Sequence, residues 1–447
     1  MKSVLGRIVI EYLRFFAKIK LAIIKPDIIG ITGSVGKTST RDAIYLVLSS
    51  KYKCKKTIKA NSESGIPLDI LDLEIHHYTI TEWLKLIILA PVKAFLPSQN
   101  YEKYIVEMGI DFPTEPKNMS YLLKILRPRT GVFTNVSAVH SQNFGANISE
   151  TNPQLRNELI IKEIAKEKGK LITTLPANGW AVINTDDKNV SEISKNTIAQ
   201  KISVGSKDAD IIVSNVQISE QGFKCEFIYK NEVFPLHIKS EILGEQYALN
   251  FALAIGVGLA HGISVQDSVN ALSNYSTEPG RLKLLAGING SHIIDSTYNS
   301  SFESCKNALD VLSRVGGRMH KIAVLGDMRE LGNEAETEHR KVIEKTCQIA
   351  NEVYLIGPLM HKFAYPHALE IGFNKANLHL IENAEICGNL LRDTIGKTDV
   401  ILVKASQNTL FLEKTVEILL NKDLNPNEVL CRRGAFWDNE RSKTFNK

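Results

Sequence analysis

The sequence predicts an α/β protein of two domains. A central P-loop domain has a mostly parallel sheet plus a small antiparallel sheet, and a Rossmann-like C-terminal α/β domain follows it. Three observations predict this. A short apolar run, PDIIGI at 26–31, enters a glycine-bracketed turn that ends in Gly36-Lys37-Thr38 and opens a helix. Short apolar runs then alternate with helix-length stretches, the pattern of a parallel sheet covered on both faces. Beyond Pro279-Gly280-Arg281 a second alternation begins without a phosphate loop of its own. A chain of 447 residues also exceeds one ordinary core. We place the divisions at 1–26 (a basic amphipathic helix), 27–280 and 281–447.

Composition excludes several classes. With 44% hydrophobic and 23% charged residues the chain is of the globular type. A net charge of +5 spread over this length is no nucleic-acid footprint, so no nucleic-acid partner is expected. The cysteines, Cys54, Cys225, Cys305, Cys347, Cys387 and Cys431, are scattered, with neither a C-x-x-C pair nor metal-ligand spacing. They read as reduced thiols of a cytoplasmic protein. The apolar residues near the start are interrupted by Arg7, Glu11, Arg14 and Lys18, unlike a secretory signal.

Taken in order, the first element is a helix with Ile8, Tyr12, Phe15, Phe16, Ile19 and Ile23 at helical spacing among Lys2, Arg7, Arg14, Lys18, Lys20 and Lys25. Two readings stand: residues 1–25 rest peripherally on an anionic membrane surface, or the helix packs on its own protein or a partner. After the phosphate loop, Arg41 to Leu48 continues as a helix. Trp83 to Leu96 is apolar but broken by Lys85, Pro91 and Lys93, and is expected as a packed helix. Strands are expected at Tyr104 to Glu107, Gly131 to Thr134 and Ala181 to Asn184. Between Lys201 and Ile238 the segments IIVSNVQI, FKCEFIY and EVFPLHI suggest the small antiparallel sheet. Glu245 to His261 follows as a helix, and strands recur at His292 to Asp295, Lys321 to Leu325, Glu352 to Ile356 and Asp399 to Lys404.

The phosphate loop carries the chemistry. Its glycines let backbone N–H groups approach a polyphosphate, Lys37 supplies a point charge, and Thr38 offers a hydroxyl to Mg²⁺. Gly33, Ser34, Val35, Gly36 and Ser39 complete the cradle, and ATP or GTP is the expected ligand. The generic G-x-x-x-x-G-K-[ST] pattern is missed, because Ile31 occupies its first glycine position and Gly30 lies one residue early; Gly33 takes over the turn. Glu107 at a strand end and His140 after Thr134-Asn135-Val136 are ordinary Mg²⁺ or phosphate-site ligands in such positions. Lys168 sits in a charged run, 162–170, that composition alone reads as a solvated face.

The compact turn G-S-V-G-K-T, then YIVEMGIDFPTEP, VFTNVSAVHSQNFG, IIDSTYNSSFESCKNAL and IAVLGDMRELGNEAETEH, resemble in order the segments of the Mur ligase family. The last two resemble its type that adds D-alanyl-D-alanine to a UDP-muramoyl tripeptide, and the resemblance runs from about Ile28 to the C-terminus. It implies ATP with two Mg²⁺ ions. Lys37, Glu107, His140 and Lys168 would be the catalytic set, with Thr38, Glu107, His140 and a carbamylated Lys168 at the metals. Asn250 in GEQYALNFALA resembles the residue facing adenine. Arg281, Asp295, Tyr298 and Asn299 resemble the wall that meets nucleotide phosphate and ribose. Asn135, Asp327, Glu330, His339, Lys404, Ser406 and Gln407 fall on the substrate side. The implied reaction forms an acyl phosphate from a peptide carboxylate and then an amide from an incoming amine. No side-chain nucleophile is required.

The departures are as specific. About thirty residues precede the phosphate loop, where these ligases carry a domain that holds uridine diphosphate. A protein partner in its place, or a grip at the membrane through residues 1–25, is the corresponding expectation. Gln246, Lys170, Ser296 and Ala405 replace commoner residues, and the stretch near Ser149 to Arg156 is longer than usual. Two alternatives keep the fold: a related ligase with another acceptor, such as a different amino acid or a pseudomurein-like polymer, and a non-catalytic ATP-binding homologue. Retention of the metal and phosphate residues together argues against the latter.

Overall fold

The computed structural model describes residues 4–58, 60–75, 80–96, 100–138, 141–219, 222–238, 242–406 and 410–445. His140 and Gln407 lie outside the described residues. The chain divides into two compact units. The first comprises Met1–Val216, Lys224–His237 and Gln246–Tyr275, and the second Gln217–Phe223, Ile238–Glu245 and Ser276–Lys447. The chain thus passes finally into the second unit at Ser276, four residues before the expected glycine joint, after lending it two earlier segments.

The strands that begin or lie in the first unit's segments, the last three sharing end residues with the segments lent to the second, are β1 (Asp27–Thr32), β2 (Cys54–Lys56), β3 (Lys103–Glu107), β4 (Thr130–Phe133), β5 (Trp180–Asn184), β6 (Gln200–Gly205), β7 (Ile211–Ser219), β8 (Gly222–Tyr229) and β9 (Glu232–Ile238). Among the described residues they form one sheet in the order β2-β3-β1-β4-β5-β6-β7-β8-β9. From β2 to β7 every pair is parallel. β1 and β4 are buried along their length because helices cover both faces, which is why they read as continuous apolar runs. The antiparallel strands are not a separate sheet but hydrogen-bond onto the end of the main one. Only Lys230 and Asn231 join β8 to β9, at φ of 50° and 65°, the tight turn that returns a strand beside its predecessor.

The order reverses around β1, whose two neighbours are β3 and β4. That makes a switch point, where connections leave in opposite directions and a crevice opens at the carboxyl ends. Ile31 pairs with Glu107 and Thr32 with Phe133, so the loop after β1, the end of β3 and the turn after β4 open at one edge.

Helix α1 (Val4–Ile24) is part of this unit's core. Val9, Ile10, Leu13, Ala17 and Leu21 recur at three- and four-residue spacing and are buried. They share a cluster with Ile66 and Leu68 of α3 (Gly65–Ile70), with Leu86, Ala90 and Ala94 of α4 (Ile80–Phe95), and with Tyr121. Each large side chain so buried contributes about 1.5–3 kcal/mol. Lys20 is also buried and is neutralised by Asp72 at 2.6 Å. The helix that follows the phosphate loop is α2 (Lys37–Ser49).

The second unit holds β10 (Lys283–Ala286), β11 (His292–Ser296), β12 (His320–Gly326), β13 (Glu352–Ile356), β14 (Leu378–Ile381) and β15 (Asp399–Lys404), ordered β10-β11-β15-β12-β13-β14. Among the described strands of this sheet the β10–β11 pair is antiparallel and the others are parallel. Alternate residues serve opposite faces: Ile294, Ala323, Leu325 and Leu402 enter one core, Ile293, Ile322, Val324, Ile401 and Val403 the other. Two cores on one parallel sheet are the doubly wound arrangement expected from the spacing.

Candidate active site

In the first unit the loop between β1 and α2 is built for close approach. Gly33 has φ 150°, and a Cβ there would lie 1.9 Å from Thr134 Oγ1. Only glycine fits this position. The turn after β4 clamps the loop: the Val35 N–H donates to Asn135 Oδ1 at 2.8 Å, and Asn135 Nδ2 and Thr134 Oγ1 donate to the Val35 carbonyl at 2.9 and 2.8 Å. Asn135, expected beside substrate, therefore has its amide engaged with the phosphate loop. Ser34 Oγ accepts from the Ser137 N–H at 2.9 Å. Gly36, in a left-handed conformation, is the N-cap of α2, so the helix's first N–H groups face the loop.

The charged side chains converge on this loop. Lys37 Nζ donates to the Gly33 and Ser34 carbonyls at 2.8 and 3.1 Å. Thr38 Oγ1 donates to Glu107 Oε2 at 2.8 Å. Arg41, one helical turn beyond Lys37, is buried, with Nη1 3.8 Å from the same Glu107 oxygen and Nη2 2.7 Å from Asp42. Sequence reasoning missed Arg41, although its four-residue spacing from Lys37 was a signal. Thr40 Oγ1 donates to Asn250 Oδ1 at 3.1 Å, bringing the helix Gln246–Ala260 to the loop's rear.

Lys168 corrects the reading of its segment as a solvated charge run. It is 3% exposed, and its Nζ donates to the Gly33 carbonyl at 3.1 Å. Its position follows from two glycines: Gly30 and Gly131 are register partners on β1 and β4, and Leu171 lies over both. A Cβ on Gly30 would meet Leu171 Cδ1 at 2.9 Å. The helix Pro153–Thr173 can thus lie close on the sheet, with Lys168 one turn before Leu171 at the phosphate loop. Asn152 caps that helix and Pro153 begins it, so the long stretch near Ser149 to Arg156 includes a helix start. Burial first, then the Lys37 charge, holds the Lys168 ammonium well below the ordinary lysine range.

In the second unit Lys404, Ser296 and Asn299 gather at the carboxyl ends of β15 and β11. Lys404 Nζ is buried and donates to the Asn299 carbonyl at 2.9 Å and Ser296 Oγ at 3.2 Å. Burial lowers its pKa. The Arg281 guanidinium stacks 4.0 Å above the Tyr298 ring and donates to Glu278 at 3.2 Å. Asp295 is fully buried, and its Oδ1 accepts from the Thr297 N–H and hydroxyl at 3.1 and 2.7 Å. Burial raises its pKa, opposed by Thr297 and Arg432. Arg432, unflagged by any motif, pairs with buried Glu413 at 2.8 Å and donates to the Thr297 and Tyr298 carbonyls. It fixes the strand-end loop that carries Tyr298.

The GDMRELG segment divides its labour. Asp327 Oδ1 accepts from the Leu359 and Met360 N–H groups at 3.1 and 2.8 Å, fixing the start of the helical segment that follows β13. His339 is buried, takes the Met328 N–H on Nε2 at 3.1 Å and donates from Nδ1 to the Ala335 carbonyl. Burial lowers its pKa, in keeping with a neutral ring. Ser406 Oγ accepts the Arg329 N–H at 3.1 Å. Glu330 at the turn's tip is exposed, at φ 63°. Asp327, His339 and Ser406 thus shape the loop on which Glu330 stands.

Among the described residues no group of three or more His, Cys, Asp or Glu is gathered as a metal centre. The phosphate loop nevertheless has hard oxygen donors suited to Mg²⁺, which takes one or two carboxylates and fills the rest of its shell with phosphate and water. Those donors are Glu107 and the Thr38 hydroxyl bonded to it.

Comparison with known proteins bears on both units. The Mur ligase middle domain matches residues 31–258, more than half of the chain, and the Mur ligase glutamate ligase domain matches residues 280–407. The UDP-N-acetylmuramoyl-tripeptide–D-alanyl-D-alanine ligase of Bacillus subtilis (strain 168) is 28% identical over 419 residues, covering 92% of this chain and 80% of that protein. The like-named protein of Buchnera aphidicola subsp. Baizongia pistaciae (strain Bp) is 27% identical over 391 residues, covering 85% and 73%. The crystal structure of MurF ligase from Thermotoga maritima in complex with ADP shares the fold, with a TM-score of 0.72 and 24% identity over 94% of this chain and 84% of that one.

Proposed function

Since this chain belongs to the Mur ligase family, we propose that it is an ATP-dependent amide ligase of peptidoglycan precursor synthesis. It joins D-alanyl-D-alanine to a UDP-muramoyl tripeptide through an acyl phosphate. The observation that carries this reading is the meeting of Lys37 and Lys168 at one carbonyl of the phosphate loop, beside the Thr38–Glu107 pair. A binding module needs the loop alone. A ligase that stabilises a transferring phosphoryl group also needs charge and metal donors beyond it.

In the first step a carboxylate oxygen of the tripeptide attacks the γ-phosphorus of ATP, and the bond to the bridging oxygen breaks to release ADP. Lys37 exchanges the Gly33 and Ser34 carbonyls for the outer phosphates, while the α2 N–H groups receive the anion. Bound Mg²⁺, two ions by family resemblance, neutralises charge on the phosphoryl oxygens. Thr38, Glu107, His140 and a carbamylated Lys168 are its proposed ligands. In the second step the amine of D-alanyl-D-alanine attacks the acyl carbon, phosphate leaves, and the amine proton passes to solvent. Asn250 is assigned to the adenine, and Arg281, Tyr298, Asn299 and Asp295 to the nucleotide's other contacts. Glu330 and Lys404 are assigned to the dipeptide side, with Asp327, His339 and Ser406 shaping the loop that carries Glu330. Residues 1–25 are assigned a peripheral contact with the inner membrane surface.

The test is product mass. Purified protein, ATP, Mg²⁺ and UDP-muramoyl tripeptide are incubated with D-alanyl-D-alanine or with a panel of amino acids and dipeptides. A product heavier by D-alanyl-D-alanine less water is expected. A product formed only with another acceptor would keep the chemistry and overturn the acceptor.

A further inference from the structure

The apolar surface left outside the core is concentrated on two helices. Among the described residues, Ile8, Phe15 and Ile23 of α1 and Leu84, Ile88, Val92 and Phe95 of α4 are large, apolar and exposed, joined by Leu96 just beyond α4. On α4 the spacing 84, 88, 92, 95 and 96 makes one continuous stripe, with Ile88 68% exposed. On α1, Ile8 and Phe15 lie two turns apart, opposite Leu13 and Ala17. The helices pack side by side, tied by a hydrogen bond from the Tyr12 hydroxyl to the Ile87 carbonyl at 2.9 Å, and their buried faces enter one core cluster. Two neighbours resting on one core turn their opposite faces outward together.

The charges around this surface identify what covers it. Arg7, Lys18, Lys25 and Lys85 are exposed and Lys93 half-buried, whereas the acidic residues of the two helices are Glu11, paired with Arg14, and Glu82. A cationic rim around aliphatic and phenyl groups, with Tyr12 and Trp83 half-buried at the margin, matches the layering of an anionic bilayer surface. No helix among the described residues is long and apolar enough to cross a membrane. The pair would lie in the interface plane.

We infer that α1 and α4 together form a lipid-binding platform that seats the enzyme on an anionic membrane surface. This rests on the assignment of residues 1–25 to such a contact and extends it to α4, which residues 1–25 do not include. Phe15, Ile88, Val92 and Phe95 enter the acyl boundary, while Lys18, Lys85 and Lys93 meet the headgroup phosphates.

The experiment is vesicle flotation of the full chain, with vesicles of phosphatidylglycerol and phosphatidylcholine and with phosphatidylcholine alone. The variants are Phe15→Asp, Ile88→Asp with Val92→Asp, and Lys85→Glu with Lys93→Glu. Ile198→Asp, 72% exposed and on neither helix, is the control. Sedimentation and turnover with soluble substrates are read in parallel. Binding that needs the anionic lipid and weakens about tenfold or more in every platform variant, with the control unchanged, is expected. The charge-reversal pair leaves every apolar side chain in place, so it keeps the test open should an aspartate variant fail to fold. Loss confined to Phe15→Asp would reduce the contact to residues 1–25 and overturn the two-helix platform. Absence of vesicle binding with turnover intact would overturn the platform and leave the ligase standing. Self-association abolished by the Ile88→Asp pair, without vesicle binding, would assign the surface to a second copy and overturn it equally.

Discussion

Lys168 and Lys37 donate to the same acceptor, the Gly33 carbonyl, at 3.1 and 2.8 Å. Two ammonium groups cannot share one carbonyl oxygen in a buried site without cost, and the cost falls on Lys168, which is the more buried. Its amine is held ready to be neutral. A neutral amine attacks carbon dioxide, forming a carbamate and releasing a proton, and the product is a carboxylate-like ligand.

Intact mass measured in bicarbonate under non-acidic conditions shows the chain heavier by one carbon dioxide, and the gain is absent from Lys168→Arg. Lys168→Ala lowers turnover by about hundredfold or more while leaving circular dichroism unchanged.

Thr38 and Glu107 are joined at 2.8 Å and act as one metal-side unit. Thr38→Ala or Glu107→Gln raises the Mg²⁺ concentration needed for half-maximal turnover by about tenfold or more. The double variant costs less than the sum of the two, because each change removes the same unit. Magnesium titrations of the four proteins measure this; strict additivity would separate the residues.

Gly33 is the tightest point of the loop, with its missing Cβ 1.9 Å from Thr134 Oγ1. Gly33→Ala must move the backbone that Lys37 and Lys168 both bind, and displacement of this kind costs about hundredfold in turnover. Urea unfolding shifts by about 1–3 kcal/mol at most. Turnover and unfolding measured on the same preparation distinguish loop displacement from global failure.

His261 gives a pH dependence of stability. Lys103 Nζ, a donor only, lies 3.0 Å from its Nδ1, so Nδ1 accepts and Nε2–H points to Thr130 Oγ1 at 3.1 Å. Burial, then the Lys103 charge, lowers its pKa from 6.5 to about 4. The folded state therefore binds fewer protons than the unfolded one between those values, and stability falls as pH drops from 6.5 towards 4. The loss is roughly 1–3 kcal/mol. Denaturation midpoints across that range fall for the parent, and His261→Gln flattens the dependence.

The elements carried by backbone pattern were legible in the sequence. Glu352–Ile356 and Asp399–Lys404 begin and end where their apolar runs do, and the phosphate loop sits between a strand and a helix as its glycines require. What depends on distant packing was not. Gly30 was readable as part of the apolar run that forms β1, but that its missing side chain admits Leu171 was not. Composition alone read Lys168 as solvated because it stands in a charged run, yet it and Glu167 are buried, Lys168 where the helix approaches over Gly30 and Gly131. Asp327 and His339 were expected on the substrate side, but their partners, the Met360 N–H beyond β13 and the Met328 N–H, are set by the folded chain. The chemical identity of a side chain is local, and its employment is set by what the fold brings to it.

In the proposed reaction the phosphate loop drives amide formation. The most direct measurement follows phosphate release and product formation together, for the parent and for Lys37→Ala, with UDP-muramoyl tripeptide present and D-alanyl-D-alanine added or omitted. Release is expected to require both substrates, to match the amide product one for one, and to fall about hundredfold or more in Lys37→Ala. ATP bound tightly by the folded parent, with no phosphate released under any acceptor, would contradict it.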